Sequence, residues 1–211
     1  MKDNYTRKES LYSKRWQVNQ PERLENYHNF VGKLPPVRDE TVTSSEKFFL
    51  GGFFEGEASL YASIKYNKTA RFGFYVDPEF AVYQHTSGLQ LLQRAKMLFQ
   101  TGHIYRKPGS ETVWNYVVYN RRTLSEKVIP FYEKYVFPFS AKRETYISFK
   151  ELVTRLDKKE HFTKEGMREI VKLAYSMNPF SKGKERKKSL QEILNLLESS
   201  ETIRLTAVLF L

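Results

Sequence analysis

The segment Leu50-Gly51-Gly52-Phe53-Phe54-Glu55-Gly56-Glu57-Ala58-Ser59 sets two carboxylates at i and i+2 among three glycines. Carboxylate oxygens at the end of a helix can hold a hard cation such as Mg²⁺. Gly52 and Gly56 are four residues apart, on one helical face, where a second backbone could approach closely. Each costs a helix about 1 kcal/mol relative to alanine, so contact between two helices is the compensation to expect. The chain has no cysteine, which removes disulfides, thiolate metal sites and cysteine nucleophiles. His85 and His103 are too few and too far apart for a zinc site, and no glycine-rich nucleotide fingerprint or GxSxG occurs.

The elements that must position these residues follow from periodicity. Thr43-x-x-Glu46 has capping-box spacing ahead of Phe48, Phe49 and Leu50, which predicts a helix to about Glu55. From Ser59 to Lys65 the chain alternates, with Leu60, Ala62 and Ile64 on one face and Ser59, Tyr61, Ser63 and Lys65 on the other. A polar turn at 66–71 leads to a second strand in which Phe80 and Val82 alternate with Glu79, Ala81 and Tyr83, and Asp77-Pro78 marks a bulge or an edge. Ser87-x-x-Gln90 has the spacing to cap a helix striped by Leu91, Leu92, Ala95, Leu98 and Phe99.

The order then repeats. Strands are expected at 102–107 and 112–119 across a Pro108-Gly109 turn, and a helix at 123–134. This gives an α+β fold, αββαββα, in which one four-stranded antiparallel sheet carries its helices on one face. Amphipathic helices follow at 143–156 and 163–177, the second stopped by Asn178-Pro179, and a further helix at 190–197; the apolar end, 202–211, has no assignment. Three parts result: an N-terminal extension (1–40), a core domain (41–180), and a basic linker with a helical tail (181–211).

Thirty-five Lys and Arg against 24 Asp and Glu give a net charge of +11, which favours polyanionic partners. No stretch is apolar enough for a membrane span or a signal peptide. A soluble, non-exported protein is expected, acting in a bacterial cytoplasm or in the organelle that makes it.

The nine residues from Leu50 to Ala58 resemble the motif of the LAGLIDADG homing endonucleases, with Gly51 in place of alanine, Phe53-Phe54 of leucine-isoleucine, Glu55 and Glu57 of the aspartates, and Ala58 of glycine. The resemblance spans about residues 44–160 and implies a saddle-shaped sheet and metal-dependent hydrolysis of DNA. Only one such segment is present, so it implies a homodimer joined through Gly52, Phe53 and Gly56 and a long, roughly palindromic double-stranded DNA target cut with a short stagger. It further implies that Glu57 binds the divalent ion, Mg²⁺ or similar, with backbone carbonyls such as that of Gly56 completing the oxygen shell.

Gln84 matches the polar residue that orders solvent at the cleavage site, and Lys142 is assigned to the family's basic position, with Ser140, two residues earlier, as the competing one. The DNA-reading face would be Ser59, Tyr61, Ser63, Lys65 and Asn67 on the first strand and Ala81 and Tyr83 on the second. On the second hairpin it would include His103, Tyr105, Lys107, Asn115, Val117 and Tyr119, with Arg71 in a turn on phosphate. Two other functions fit the same fold: an intron RNA maturase and a non-cleaving DNA-binding regulator. Glu57 favours the nuclease, since binding alone makes no demand on an acid at that helix end.

Overall fold

Thr43 and Glu46 open the first helix with a reciprocal cap: the Glu46 carboxylate accepts the Thr43 N–H at 2.8 Å and Thr43 Oγ1 accepts the Glu46 N–H at 3.3 Å. The computed structural model describes residues 42–177 and 188–209, with side chains of the last helix through 199. The N-terminal extension and most of the basic linker, with the Asn178-Pro179 stop, lie outside the described residues. Helix α1 (Ser44–Glu57) runs two residues further than expected, so that Glu57 is its final residue.

It is followed by β1 (Ala58–Tyr66), β2 (Phe74–His85), α2 (Leu89–Phe99), β3 (His103–Arg106) and β4 (Val113–Val118). Helix α3 (Ile129–Tyr135) is entered through a turn at Arg121–Thr123 and a π-helical stretch at Leu124–Val128. Then come α4 (Arg143–Asp157), α5 (Lys164–Ser176) and α6 (Leu190–Leu209), the last absorbing most of the unassigned apolar end. The four strands form one antiparallel sheet in the order β1-β2-β4-β3, so the expected αββαββα arrangement is what the chain builds.

Helix α1 buries Leu50, Gly51 and Phe54. The Phe54 ring lies 5.3 Å from Phe80, 5.5 Å from Phe131 and 5.9 Å from Phe99, joining sheet, α3 and α2 at one point. Leu60, Ala62, Phe80, Val82, Ile104, Trp114, Tyr116 and Val118 supply the sheet's side of the same core, which extends to Ile193 and Leu197 of α6. Gly51 is where α1 meets α3: a Cβ there would stand 2.5 Å from the Tyr135 carbonyl oxygen. The alanine-to-glycine exchange in the motif therefore has a packing reason. Arg94 on α2 pins the start of α1 by pairing with Glu46, its Nε at 2.9 Å.

Two local expectations change. The Ser87–Gln90 cap is not the device used: a 3₁₀ turn at Thr86–Gly88 precedes α2, and the His85 ring accepts the Ser87 N–H at 3.2 Å instead. At Asp77-Pro78 the β1–β2 register continues without a bulge, Ala62 facing Pro78. Pairing with β4 begins only at Phe80, so Pro78 lies where β2 has a single neighbour, as an edge position allows.

Candidate functional site

The C-terminal end of α1 presents free carbonyl oxygens and the negative end of the helix dipole, and its own last turn has no basic residue. A cation reaches it from far along the chain. Lys142 Nζ donates to the Glu55 carbonyl oxygen at 2.6 Å and lies 3.4 Å from that of Gly56. The loop carrying Lys142 is fastened to the same helix end, because Glu55 Oε1 accepts the Ala141 N–H at 2.9 Å and Ser140 Oγ accepts the Lys142 N–H at 2.9 Å. Of the two competing positions, Ser140 is buried and shapes the loop, whereas Lys142 extends its charge to the motif.

Glu57, the last residue of α1, is exposed beside these carbonyls. Ala58, immediately after it, pairs with Val82, which places Gln84 two residues further along β2 at the same end of the sheet. Gln84 shares the parity of Phe80 and Val82; its side-chain oxygen accepts the His85 N–H at 2.9 Å and its chain leans on Gly88. Lys142 and the Glu55 and Gly56 carbonyls thus meet at the end of α1, where Glu57 is the last residue and exposed, with Gln84 at the adjoining strand end. The donors are all oxygen, which suits a hard divalent cation. Among the described residues no three His, Asp or Glu side chains cluster. Two carboxylates belong to this helix end, that of Glu55 engaged by the Ala141 N–H and that of the exposed Glu57.

Gly52 and Gly56 lie on the opposite side of α1 from Leu50 and Phe54, and apart from the helix's own adjoining turns no described atom comes within 4 Å of where their Cβ atoms would be. Phe48 and Phe49, 61% and 60% exposed, flank this open face at its start, and Phe53 is half-buried. Among the described residues, no helix is long and apolar enough to cross a membrane.

The outward face of the sheet holds the residues expected there, in two zones. At its centre Ala81, Asn115 and Val117 are 0%, 3% and 3% exposed, so little of their surface is left to meet a ligand; Asn115 donates to Tyr105 Oη at 3.0 Å and serves to position it. Around them stand the reachable groups. Tyr83 lies beneath Lys107 Nζ, 5.3 Å from the ring centroid. Tyr119 Oη and His103 Nε2 are 2.9 Å apart with their rings stacked. Burial, and then the Lys96 charge, lower the His103 pKa, which favours a neutral imidazole.

Asn67 is spent on the hairpin turn, accepting the Thr69 N–H at 3.0 Å, and Arg71 is exposed near the tip. Sequence reading passed over Asp77 and Glu79, which bind Tyr61, Ser63 and Lys65 across the ladder. The available signal was their outward parity in a strand opposite those three residues.

Residues 50–153 match the family model described as LAGLIDADG endonuclease. The chain is 42% identical over 146 residues to the DNA endonuclease I-CeuI of Chlamydomonas moewusii, covering 68% of this chain and 67% of that protein. It is 30% identical over 157 residues to the homing endonuclease I-ApeII of Aeropyrum pernix, covering 74% and 92%. Among solved structures, the group I intron-encoded homing endonuclease I-CeuI complexed with DNA superposes with a TM-score of 0.69 at 33% identity, over 82% of this chain and 89% of that one. With its single motif, its αββαββα core and these likenesses, this chain belongs to the LAGLIDADG homing endonucleases.

Proposed function

We propose that this homing endonuclease acts as a homodimer that makes a staggered double-strand cut in a long, pseudo-palindromic DNA site, using divalent metal ions held by Glu57. The observation that carries this reading is the Lys142 ammonium resting on the Glu55 and Gly56 carbonyls beside the exposed Glu57. The helix end offers a carboxylate and main-chain oxygens that would suit Mg²⁺, and Lys142 beside them adds a positive charge that would turn to the phosphate, where hydrolysis of a phosphodiester needs it. When bound, the metal supplies an activated water and neutralises charge on the phosphate and the leaving 3′ oxygen.

The chain's own groups do the rest. Glu57 and the Gly56 carbonyl would hold the ion, and Lys142 would offset charge on the scissile phosphate. Gln84 orients water through its carboxamide nitrogen, its oxygen being engaged by His85. No side chain forms a covalent intermediate. Because one chain carries Glu57 once, the second strand is served by the second copy, docked through the open face of Gly52 and Gly56 with Phe53 and the exposed Phe49 beside them. A two-fold axis through such a pair gives a target with matching half-sites.

The sheet's outward rim, with Ser59, Tyr61, Ser63, Lys65, Tyr83, His103, Tyr105, Lys107 and Tyr119, lies in the major groove, and Arg71 near the hairpin tip meets phosphate. The DNA in the solved complex with the related I-CeuI supports the choice of partner. An intron location for the coding sequence is part of the same proposal.

The test is a cleavage selection on a random duplex library with Mg²⁺ and with chelator, sequencing cut ends and running Glu57→Gln in parallel. Metal-dependent cuts at one near-palindromic site, lost in Glu57→Gln while binding persists, are expected. Undiminished cutting by Glu57→Gln would remove Glu57 from the metal site, and binding without any cutting would leave a regulator.

A further inference from the structure

On the outward face of β1 and β2 a network gathers around two carboxylates. Tyr61 Oη donates to Glu79 Oε2 at 2.8 Å, Ser63 Oγ to Glu79 Oε1 at 3.4 Å and Lys65 Nζ to Glu79 Oε1 at 3.2 Å. Lys65 pairs with Asp77 as well, and Ser63 Oγ lies 3.5 Å from the Asp77 carbonyl oxygen. The register builds this directly, with Tyr61 opposite Glu79 and Ser63 opposite Asp77. The Glu79 side chain is 15% exposed, so it is held in place yet still reachable.

Two features of the network limit what it can touch. Among the contacts named, two carboxylates face one ammonium, an acid-rich spot on a chain whose net charge is +11. Carboxylates repel phosphate, so Asp77 and Glu79 make this part of the face a poor backbone clamp. The second feature is hydrogen-bond direction. A hydroxyl has one proton; that of Tyr61 is spent on Glu79 and that of Ser63 on Glu79 or the Asp77 carbonyl, so both oxygens have only lone pairs left to offer. Glu79 has about four lone-pair sites and receives three donors, so it retains accepting capacity too. The patch therefore displays acceptors together with one ammonium. In the major groove the cytosine N4 amine donates, and guanine O6 and N7 on its partner accept.

We infer that Glu79 is a specificity-determining residue that commits this patch to a C·G base pair, the cytosine amine meeting Glu79, Tyr61 and Ser63 and the guanine O6/N7 edge meeting Lys65. Glu79 does this in two ways: it accepts from the base, and it fixes the direction in which its neighbours hydrogen-bond. With Asp77 it also holds Lys65 on the sheet face, away from phosphate. An A·T pair offers an amine, but thymine presents its O4 and methyl where guanine presents two acceptors. The inference rests on the sheet's being the DNA-reading surface and adds which base pair this part of it reads.

The experiment is the same cleavage selection, scored position by position, for wild type, Glu79→Gln and Tyr61→Phe. In wild type one position in each half-site should strongly prefer C·G. Glu79→Gln puts an amide donor among the acceptors, so the preference there should fall by about tenfold to a hundredfold while other positions keep theirs. Tyr61→Phe removes one acceptor oxygen and keeps the ring; it should weaken the same position, and it decides the matter if Glu79→Gln does not fold. Unchanged preferences in both variants overturn the inference, as does an even loss across all positions or an affected position at which wild type prefers A·T. Wild-type cut ends report separately on the nuclease reading: their complete absence sinks both, whereas normal cutting with unaltered preferences sinks this inference alone.

Discussion

Lys142 Nζ lies 2.6 Å from the carbonyl oxygen of Glu55, a residue 87 positions earlier in the chain. This contact joins the loop ahead of α4 to the end of the motif helix and brings the second charge of the site to its place. Replacing the ammonium by an uncharged chain of similar length, Lys142→Met, should lower the single-turnover cleavage rate by about a hundredfold, the scale seen when one charge-stabilising donor is removed. Affinity for the target should remain within a few-fold. A wild-type rate in this variant would reduce Lys142 to a tether between loop and helix.

Gly51 and Gly52 are neighbours with opposite duties. A methyl group at 51 would meet the Tyr135 carbonyl, a backbone atom that cannot swing away, so Gly51→Ala should destabilise the fold by about 1–3 kcal/mol despite alanine's better helix propensity. Gly52→Ala meets no atom of the described chain and should strengthen an isolated α1 by about 1 kcal/mol. Measured in the Gly56→Leu background, where no partner covers the face, thermal melts of the two variants should move in opposite directions; a Gly51→Ala melt that does not fall would show that α1 and α3 are not packed as described.

Gly56→Leu should leave each chain folded and separate the pair. Its Cβ would project into the open face of α1, with no other described part of the chain within 4 Å, and its branched end would meet the partner in the proposed dimer. Sedimentation equilibrium should give a dimer for wild type and a monomer for Gly56→Leu at the same concentration. An equally tight variant dimer would move the interface to another surface.

Glu46 supplies a pH dependence. The Thr43 N–H, and then the Arg94 guanidinium, hold its carboxyl down to about 2 from an ordinary 4.5. A carboxyl whose pKa is depressed by folding stabilises the fold above about pH 4.5, and the contribution fades as pH falls toward 2. Glu46→Gln should therefore melt below wild type at pH 7, with the gap closing across that acidic window. A gap that persists at pH 2 would assign the effect to the side chain's shape and not to its charge.

How far the sequence could be read depended on the range of the forces involved. The Thr43–Glu46 cap and the outward Ser59, Tyr61 and Ser63 were legible because a cap or a strand parity is set within a few residues. Ser87 misled because His85, two residues earlier, took its N–H and turned the entry into α2 into a 3₁₀ turn, a competition between equally local options. The burial of Ala81, Asn115 and Val117 was not legible, since alternation marks which face a residue is on but not how its cross-strand neighbours cover it. Glu79 was overlooked for a related reason: its partners lie 14 to 18 residues away and only the register brings them together. Lys142 needed the tertiary fold outright, and the motif likeness, not any local pattern, was what singled it out.

Among the described residues, the short β4 leaves the stretch of β2 from Phe74 to Glu79 with a strand neighbour on one side only, and Pro78 sits within it. An uncovered strand invites a passing chain to add itself to the sheet, the first step towards an insoluble stack. A strand drawing up to that margin meets a proline with no N–H to donate, and two acids beside it. The molecule thus discourages growth along its sheet, and in the proposed dimer it would meet its own kind through α1.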